Sequence, residues 1–321
     1  MKKRGRFAPT PSGHLHLGNA WTALLSWWQI RSEGGEYVLR IEDIDKARSK
    51  PEYAAQLVED LLWLGIDWDE GPDRGGPCAP YRQSEREERY DDALRRLLQD
   101  GWLYPCYCSR SELMKIASAP HGLGSEGPVY PGNCRRLSAD EQAEKAAVKV
   151  PSMRFAMPDE PLGFVDLLAG RQETVAGSGG DFVVKRADGM FGYQLAVVLD
   201  DAAMGITDVL RGYDLLCSTP RQLWLYAALG LKPPQFAHVP LLCGPDGQRL
   251  SKRDKSLTLA AIREAGTGAE EVVGQLAWLG GLVERPERMT AREMIGAFDL
   301  AKVPSDPVAV SESLLRRLAG E

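Results

Sequence analysis

Cysteine and histidine are scarce in this chain, with six and four among 321 residues. So few cysteines exclude a disulfide-stapled scaffold and suggest a reducing, cytoplasmic setting. No apolar run approaches the length of a membrane span, so no membrane partner is expected. The N-terminus Met1-Lys2-Lys3-Arg4-Gly5 is basic, but Arg6 and a turn follow it rather than an apolar stretch, so a secretory leader is not expected. Positive charge is not in surplus either: 39 Lys and Arg against 45 Asp and Glu leave a net charge of −6. That argues against a general nucleic-acid binder while leaving room for a local basic face. Internal repeats and low-complexity tracts are absent. What remains is an ordinary globular composition, 44% hydrophobic and 26% charged, in a chain long enough for two domains.

The elements read as an α/β protein with a doubly wound parallel sheet of the Rossmann-like type. Residues 6–8 are a short strand and Pro9–Gly13 a turn. Gly18 to Glu33 is a heavily apolar helix ended by Gly34-Gly35. Glu36–Asp43 reads as a buried strand and Tyr53–Leu64 as a helix opened by Pro51. Ser84 is the expected cap of a charged helix reaching Gln99. Residues 102–180 break the rhythm. They hold a cysteine cluster, strand candidates at Met153–Ala156 and Phe164–Leu168, and the Gly-rich Gly177–Gly180, and they read as an insertion between two halves, 1–101 and 181–256. Alternation resumes at Phe182–Arg186 and Gly192–Leu199. Ile206–Leu210 and Ala237–Leu242 are further strands, with a helix at Ser218–Leu229 between them. Helical segments Glu270–Leu279, Ala291–Phe298 and Glu312–Leu318 predict a small bundle over 257–321.

Two segments far apart carry the chemistry. Arg6-Phe7-Ala8-Pro9-Thr10-Pro11-Ser12-Gly13-His14-Leu15-His16-Leu17-Gly18-Asn19 puts a tight turn and two histidines before a helix N-terminus. A triphosphate needs those things: donors, close backbone approach and a helix start. Gln248-Arg249-Leu250-Ser251-Lys252-Arg253 is a basic loop between a strand and a helix. A mobile cation there can stabilise pyrophosphate as charge builds. Between them, Arg40-Ile41-Glu42-Asp43-Ile44-Asp45 ends a strand at its carboxyl edge, where such sheets place ligands. Arg211 is a cation at a buried strand end, with Asp214 as its nearby partner.

These segments resemble the two ATP-handling motifs of class I aminoacyl-tRNA synthetases, in the spelling of the glutamyl type. Leu64-Gly65-Ile66-Asp67-Trp68-Asp69-Glu70, Tyr81-Arg82-Gln83-Ser84 and Leu210-Arg211-Gly212-Tyr213-Asp214 match as well, so the likeness runs from Arg6 to about Ser256. Asn19 stands where many relatives have Gly or His, and Arg249 where they lead with Lys. The resemblance implies a class I catalytic domain that binds ATP with Mg2+ through Gly13, His14, His16, Gly18, Asn19, Arg249, Leu250, Ser251, Lys252 and Arg253. Lys252, His16 and His14 would be catalytic. It implies an L-glutamate site built by Arg6, Phe7, Ala8, Pro9, Thr10, Glu42, Tyr193 and Arg211. There Glu42 takes the ammonium, and the arginines take carboxylate in the bidentate manner that suits guanidinium.

Cys106, Cys108 and Cys134 lie within thirty residues and suggest tetrahedral zinc. On the residues alone the fourth ligand is open between His121 and Tyr130. Only about seventy residues follow Lys252, too few for the anticodon-binding helices of glutamyl enzymes or the β-barrels of glutaminyl ones. The chain therefore resembles the glutamyl-queuosine tRNA-Asp synthetases. That likeness favours Tyr130 through its Cys-x-Cys…Tyr-x₃-Cys pattern and makes the zinc structural, one per chain. It implies a cytoplasmic monomer that places glutamate on the queuosine base of tRNA-Asp. A shortened glutamyl-tRNA synthetase and a catalytically idle RNA-binding paralogue share the motifs. The retention of Lys252, His16, Glu42 and Arg211 argues against the idle form.

Overall fold

The structure is a computed structural model that describes residues 2–109, 112, 130–177, 179–250 and 257–320. Strand β1 (Arg4–Phe7) pairs in parallel with β2 (Glu36–Leu39), in the register Arg4↔Glu36 to Phe7↔Leu39. Helix α1 (Leu17–Ser32) makes the crossover between them. It is apolar on nearly every side because it is covered on nearly every side. Trp21, Trp27 and Trp28 are fully buried, and their indole N–H groups donate to the carbonyls of Pro240, Asp67 and Ala291. Burial of three indoles with all three N–H groups satisfied ties sheet, loops and C-terminal region to one helix.

Expected and observed boundaries differ where pairing changes partner. The second strand stops at Leu39, not Asp43. Beyond it the backbone N–H groups of Arg40, Ile41 and Glu42 donate to the carbonyls of Phe7, Tyr81 and Pro9 in turn. That stitching brings Glu42 beside the turn after β1. Ser84 caps no helix: α3 runs Glu87–Gln99 with Arg86 at its N-cap, and the Ser84 N–H and hydroxyl both donate to the Asp43 carboxylate.

A second parallel set joins the first. Strand β8 (Asp208–Gly212) pairs with β9 (Gln235–Val239), and Thr207 N–H donates to Arg4 C=O at 2.8 Å, which sets β8 beside β1. Strand β5 (Leu162–Asp166) joins β9 in parallel through Asp166↔Phe236 and pairs antiparallel with Gly170–Thr174. Leu103–Cys106, Ser152–Phe155 and Phe182–Lys185 form a separate antiparallel sheet. The sheets are thus mixed, with the parallel pairs around the first helix.

The C-terminal region is less helical than expected. Ala269–Leu279 and Glu312–Leu318 are α-helices, but Ala291–Ala297 is a 3-10 helix, and Val308–Ala309 pairs in parallel with Leu242–Cys243. A Cβ at Gly274 would lie 1.7 Å from the Glu287 carbonyl oxygen, so only glycine allows this close approach inside the helix. Among the described residues no helix is long and apolar enough to cross a membrane.

Candidate active site

At the carboxyl ends of β1, β2 and β8 a cleft of about 410 Å³ opens. Arg6, Phe7, Ala8, Pro9, Thr10, Gly13, His14, His16, Gly18, Asn19, Glu42, Tyr193, Arg211, Arg249 and Leu250 all line it. The two sequence segments and the strand-end carboxylate therefore converge. Ser251, Lys252 and Arg253 lie outside the described residues, but their flanks are beside the cleft. Leu250 N–H donates to Leu242 C=O, and Leu259 N–H donates to Leu15 C=O, with Thr258 bridged to His16.

One wall is the start of α1. His16 is its N-cap: the ring Nδ1 accepts from Gly18 N–H at 3.0 Å, and Asn19 Oδ1 accepts from His16 N–H at 3.1 Å. In the neutral ring this puts the proton on Nε2. A Cβ at Gly18 would sit 2.9 Å from the His16 ring, so this glycine is needed for the cap itself rather than for ligand approach. The first turn of the helix carries no acidic residue, which suits an anion there. His14 is exposed at the rim, edge-on to Tyr53.

Beneath the cleft lies a buried charge lattice. Arg40 donates to Glu42 at 3.0 Å and to Asp201 at 2.7 Å, while the Nε of Arg6 donates to the same Asp201 oxygen at 3.2 Å. Asp200 takes Arg86, Gln83 and Tyr90. Burial pushes Glu42 above the usual carboxylate range, although Arg40 and Arg6 pull the other way. In Asp201 burial loses to the same two arginines, which hold it below that range. Arg40 lay in the strand-end segment read from the sequence, but Asp200 and Asp201 had no signal there beyond being charged.

Arg211 is different. It is buried and its contacts are neutral: His238 Nε2 at 2.9 Å, Gln222 Oε1 at 2.8 Å, Thr219 Oγ1 at 2.9 Å and the Leu215 carbonyl. Asp214 is not its partner. That carboxylate pairs with Arg249 instead, because the 3-10 turn after β8 carries it outward. Burial accordingly lowers the pKa of Arg211. Among the described residues this buried guanidinium has no carboxylate partner, so its charge is left uncompensated.

Apart from the cleft, the Sγ atoms of Cys106, Cys108 and Cys134 lie within 4.8 Å of one another. The Tyr130 hydroxyl is 3.5 Å from Cys106 Sγ and 3.4 Å from Cys108 Sγ, and Cys108 and Cys134 are 3.6 Å apart. A tetrahedral zinc with three thiolates and one oxygen needs S···O edges of roughly 3.5 Å and S···S edges of roughly 3.8 Å. The donor set fits. Cys134 N–H donates to the Tyr130 oxygen at 2.9 Å and the Arg154 guanidinium lies 3.9 Å over its ring. Burial and the three surrounding thiols nonetheless raise the Tyr130 pKa, so a phenolate there would need the charge of a metal. His121, the other candidate ligand, lies outside the described residues.

The family of class I tRNA synthetases (E and Q), catalytic domain, matches residues 2–317. The chain belongs to that family. It is 63% identical over 317 residues to the glutamyl-Q tRNA(Asp) synthetase of Symbiobacterium thermophilum and 48% identical to that of Nitratidesulfovibrio vulgaris, with 98% of each chain covered in both cases. Against the glutamate–tRNA ligase of a Sulfurihydrogenibium species it is 44% identical, but spans 67% of that protein. Among solved structures, the glutamate–tRNA synthetase of Elizabethkingia anophelis superposes with a TM-score of 0.87 at 33% identity, over 99% of this chain and 70% of that one.

Proposed function

We propose that this protein activates L-glutamate with ATP and transfers the glutamyl group to the queuosine base in the anticodon of tRNA-Asp. The observation that carries the activation step is the cleft itself, where Arg211 is a buried cation without a carboxylate partner among the described residues and Glu42 and Arg6 share the lining with a helix N-terminus. Glutamate offers Arg211 the carboxylate it lacks among the described residues, a second carboxylate for Arg6 beside Asp201, and an ammonium for Glu42 beside Arg40. An α-carboxylate oxygen attacks the α-phosphorus of ATP in line, and pyrophosphate leaves as the P–O bond breaks. Magnesium accompanies the nucleotide. The chain contributes placement and charge: the capped helix start with His16 at the phosphates, and Lys252 on the loop stabilising pyrophosphate. A hydroxyl of queuosine's cyclopentene ring then attacks the acyl carbonyl and AMP departs. The end-to-end likeness to the two glutamyl-Q synthetases supports that acceptor over the tRNA acceptor end.

The test is glutamate-dependent ATP–pyrophosphate exchange without RNA, followed by transfer of labelled glutamate. Exchange without RNA and labelling confined to queuosine-bearing tRNA-Asp are expected. Glutamate delivered to tRNA-Glu, with exchange only in its presence, would make the protein an acceptor-end enzyme instead.

We assign the second cluster to one structural zinc held by Cys106, Cys108, Tyr130 and Cys134. With four protein ligands such an ion would have no open position, and these residues would fasten the end of Leu103–Cys106 to the turn Asn133–Arg136. About one zinc per chain is expected, and Cys134→Ser should lower both zinc content and melting temperature. Purified protein without zinc would remove the metal from the account.

A further inference from the structure

Arg211 lines the cleft, but its Nε contact leads away from it, to a residue outside the lining. Its cross-strand partner on β9 is His238, and β5, the next strand over, ends in Asp166. All three side chains are at least nine-tenths buried. We propose that Asp166 and His238 are positioning residues that aim Arg211 at the substrate carboxylate, with His238 held as a neutral imidazole protonated on Nδ1. This rests on the reading of the cleft as a glutamate-activation site.

The order of donation follows from the atoms. The Nε of a guanidinium can only donate, so His238 Nε2, 2.9 Å away, accepts. The imidazole proton is then on Nδ1, 2.6 Å from Asp166 Oδ2, which accepts it. The other oxygen, Oδ1, receives the backbone N–H groups of Leu168 at 3.1 Å, Ala169 at 2.8 Å and His238 at 3.1 Å. Donation therefore runs one way, from Arg211 through His238 to Asp166, and three backbone donors fix its end. A proton on Nε2 would set two N–H groups face to face and release the Nε end of Arg211. The ring of Phe236, 5.1 Å from the Arg211 guanidinium carbon and stacked near His238, closes the remaining side.

Asp166→Asn tests the order of donation without changing volume. The three backbone donors hold the amide oxygen where Oδ1 was, so the amide NH2 faces His238 Nδ1. The ring is driven to the Nε2–H tautomer, and a donor meets a donor at Arg211. Leaving a buried donor unmet costs on the order of 1–3 kcal/mol, so the glutamate KM in exchange should rise about five- to 150-fold. The KM for ATP should barely move. His238→Leu should do the same, while His238→Gln, which keeps an acceptor toward Nε, should stay close to the parent. An unchanged glutamate KM in Asp166→Asn, or equal rises for both substrates, would overturn the proposal. Nitrogen-15 NMR of the unsubstituted protein decides the tautomer without turnover: a protonated Nδ1 and bare Nε2 on His238 are expected, and the reverse would sink the proposal. Absence of exchange in the unsubstituted protein would overturn the activation reading alone.

Discussion

Arg211→Met is expected to abolish most glutamate binding while leaving the protein as stable as before, or slightly more so. The two halves of that result have one cause. In the folded protein Arg211 contacts only neutral acceptors, and burial holds its pKa below the usual arginine value. A lowered pKa in a base means that the fold disfavours the charged form, so the cation weakens the fold before substrate arrives. A methionine of similar length fills the space without that penalty, although His238, Gln222 and Thr219 each lose a donor. Binding moves the other way. The substrate carboxylate enters a buried site, and removing its cation costs about 2–5 kcal/mol, or roughly thirty- to several-thousand-fold in glutamate KM. Exchange kinetics at saturating ATP, beside a melting curve, read both. A variant with normal glutamate KM would remove Arg211 from the substrate site. One that melted far lower with KM intact would make it a structural residue.

How much of this was legible beforehand depends on whether a residue's role is local. His16, Gly18 and Asn19 act within one turn of one helix, and their spacing is visible in the sequence even though the capping hydrogen bonds are not. Arg6 lies within β1 and Glu42 three residues past the end of β2, and the motif resemblance singled them out. Asp166 and His238, 72 residues apart in apolar strands, are neighbours only because β5 and β9 pair, which no periodicity announces. Asp214 misled through proximity in sequence. Three residues from Arg211 it reads as a partner, yet the turn after β8 sends it to Arg249. Ser84 misled similarly, because a serine before a charged helix reads as a cap while a distant carboxylate, Asp43, claims its donors.

Arg40→Met should have the opposite stability outcome from Arg211→Met, and that contrast is the stronger test of the charge lattice. Arg40 is fully buried, touches Glu42 and Asp201, and lies 3.9 Å from Asp200. Burial alone would lower its pKa, but the three carboxylates outweigh burial and raise it well above the usual arginine value. The fold therefore favours this charge. Three buried guanidiniums, Arg6, Arg40 and Arg86, face three buried carboxylates. Removing Arg40 leaves three buried carboxylates one cation short. Breaking such a buried set costs about 3–5 kcal/mol. At about 2–4 °C per kcal/mol for a chain of this order of size, the melting temperature should fall by roughly 10 °C. Glutamate affinity should fall as well, because Glu42 loses the hydrogen bond that aims it and Asp201 loses one of the two arginines it joins. A double variant, Arg40→Met with Glu42→Gln, removes one charge of each sign and should recover part of the stability but none of the glutamate binding. If Arg40→Met melted with the parent, the lattice would be incidental to the fold. If the double variant were less stable than the single, the charge balance would be the wrong explanation for the loss.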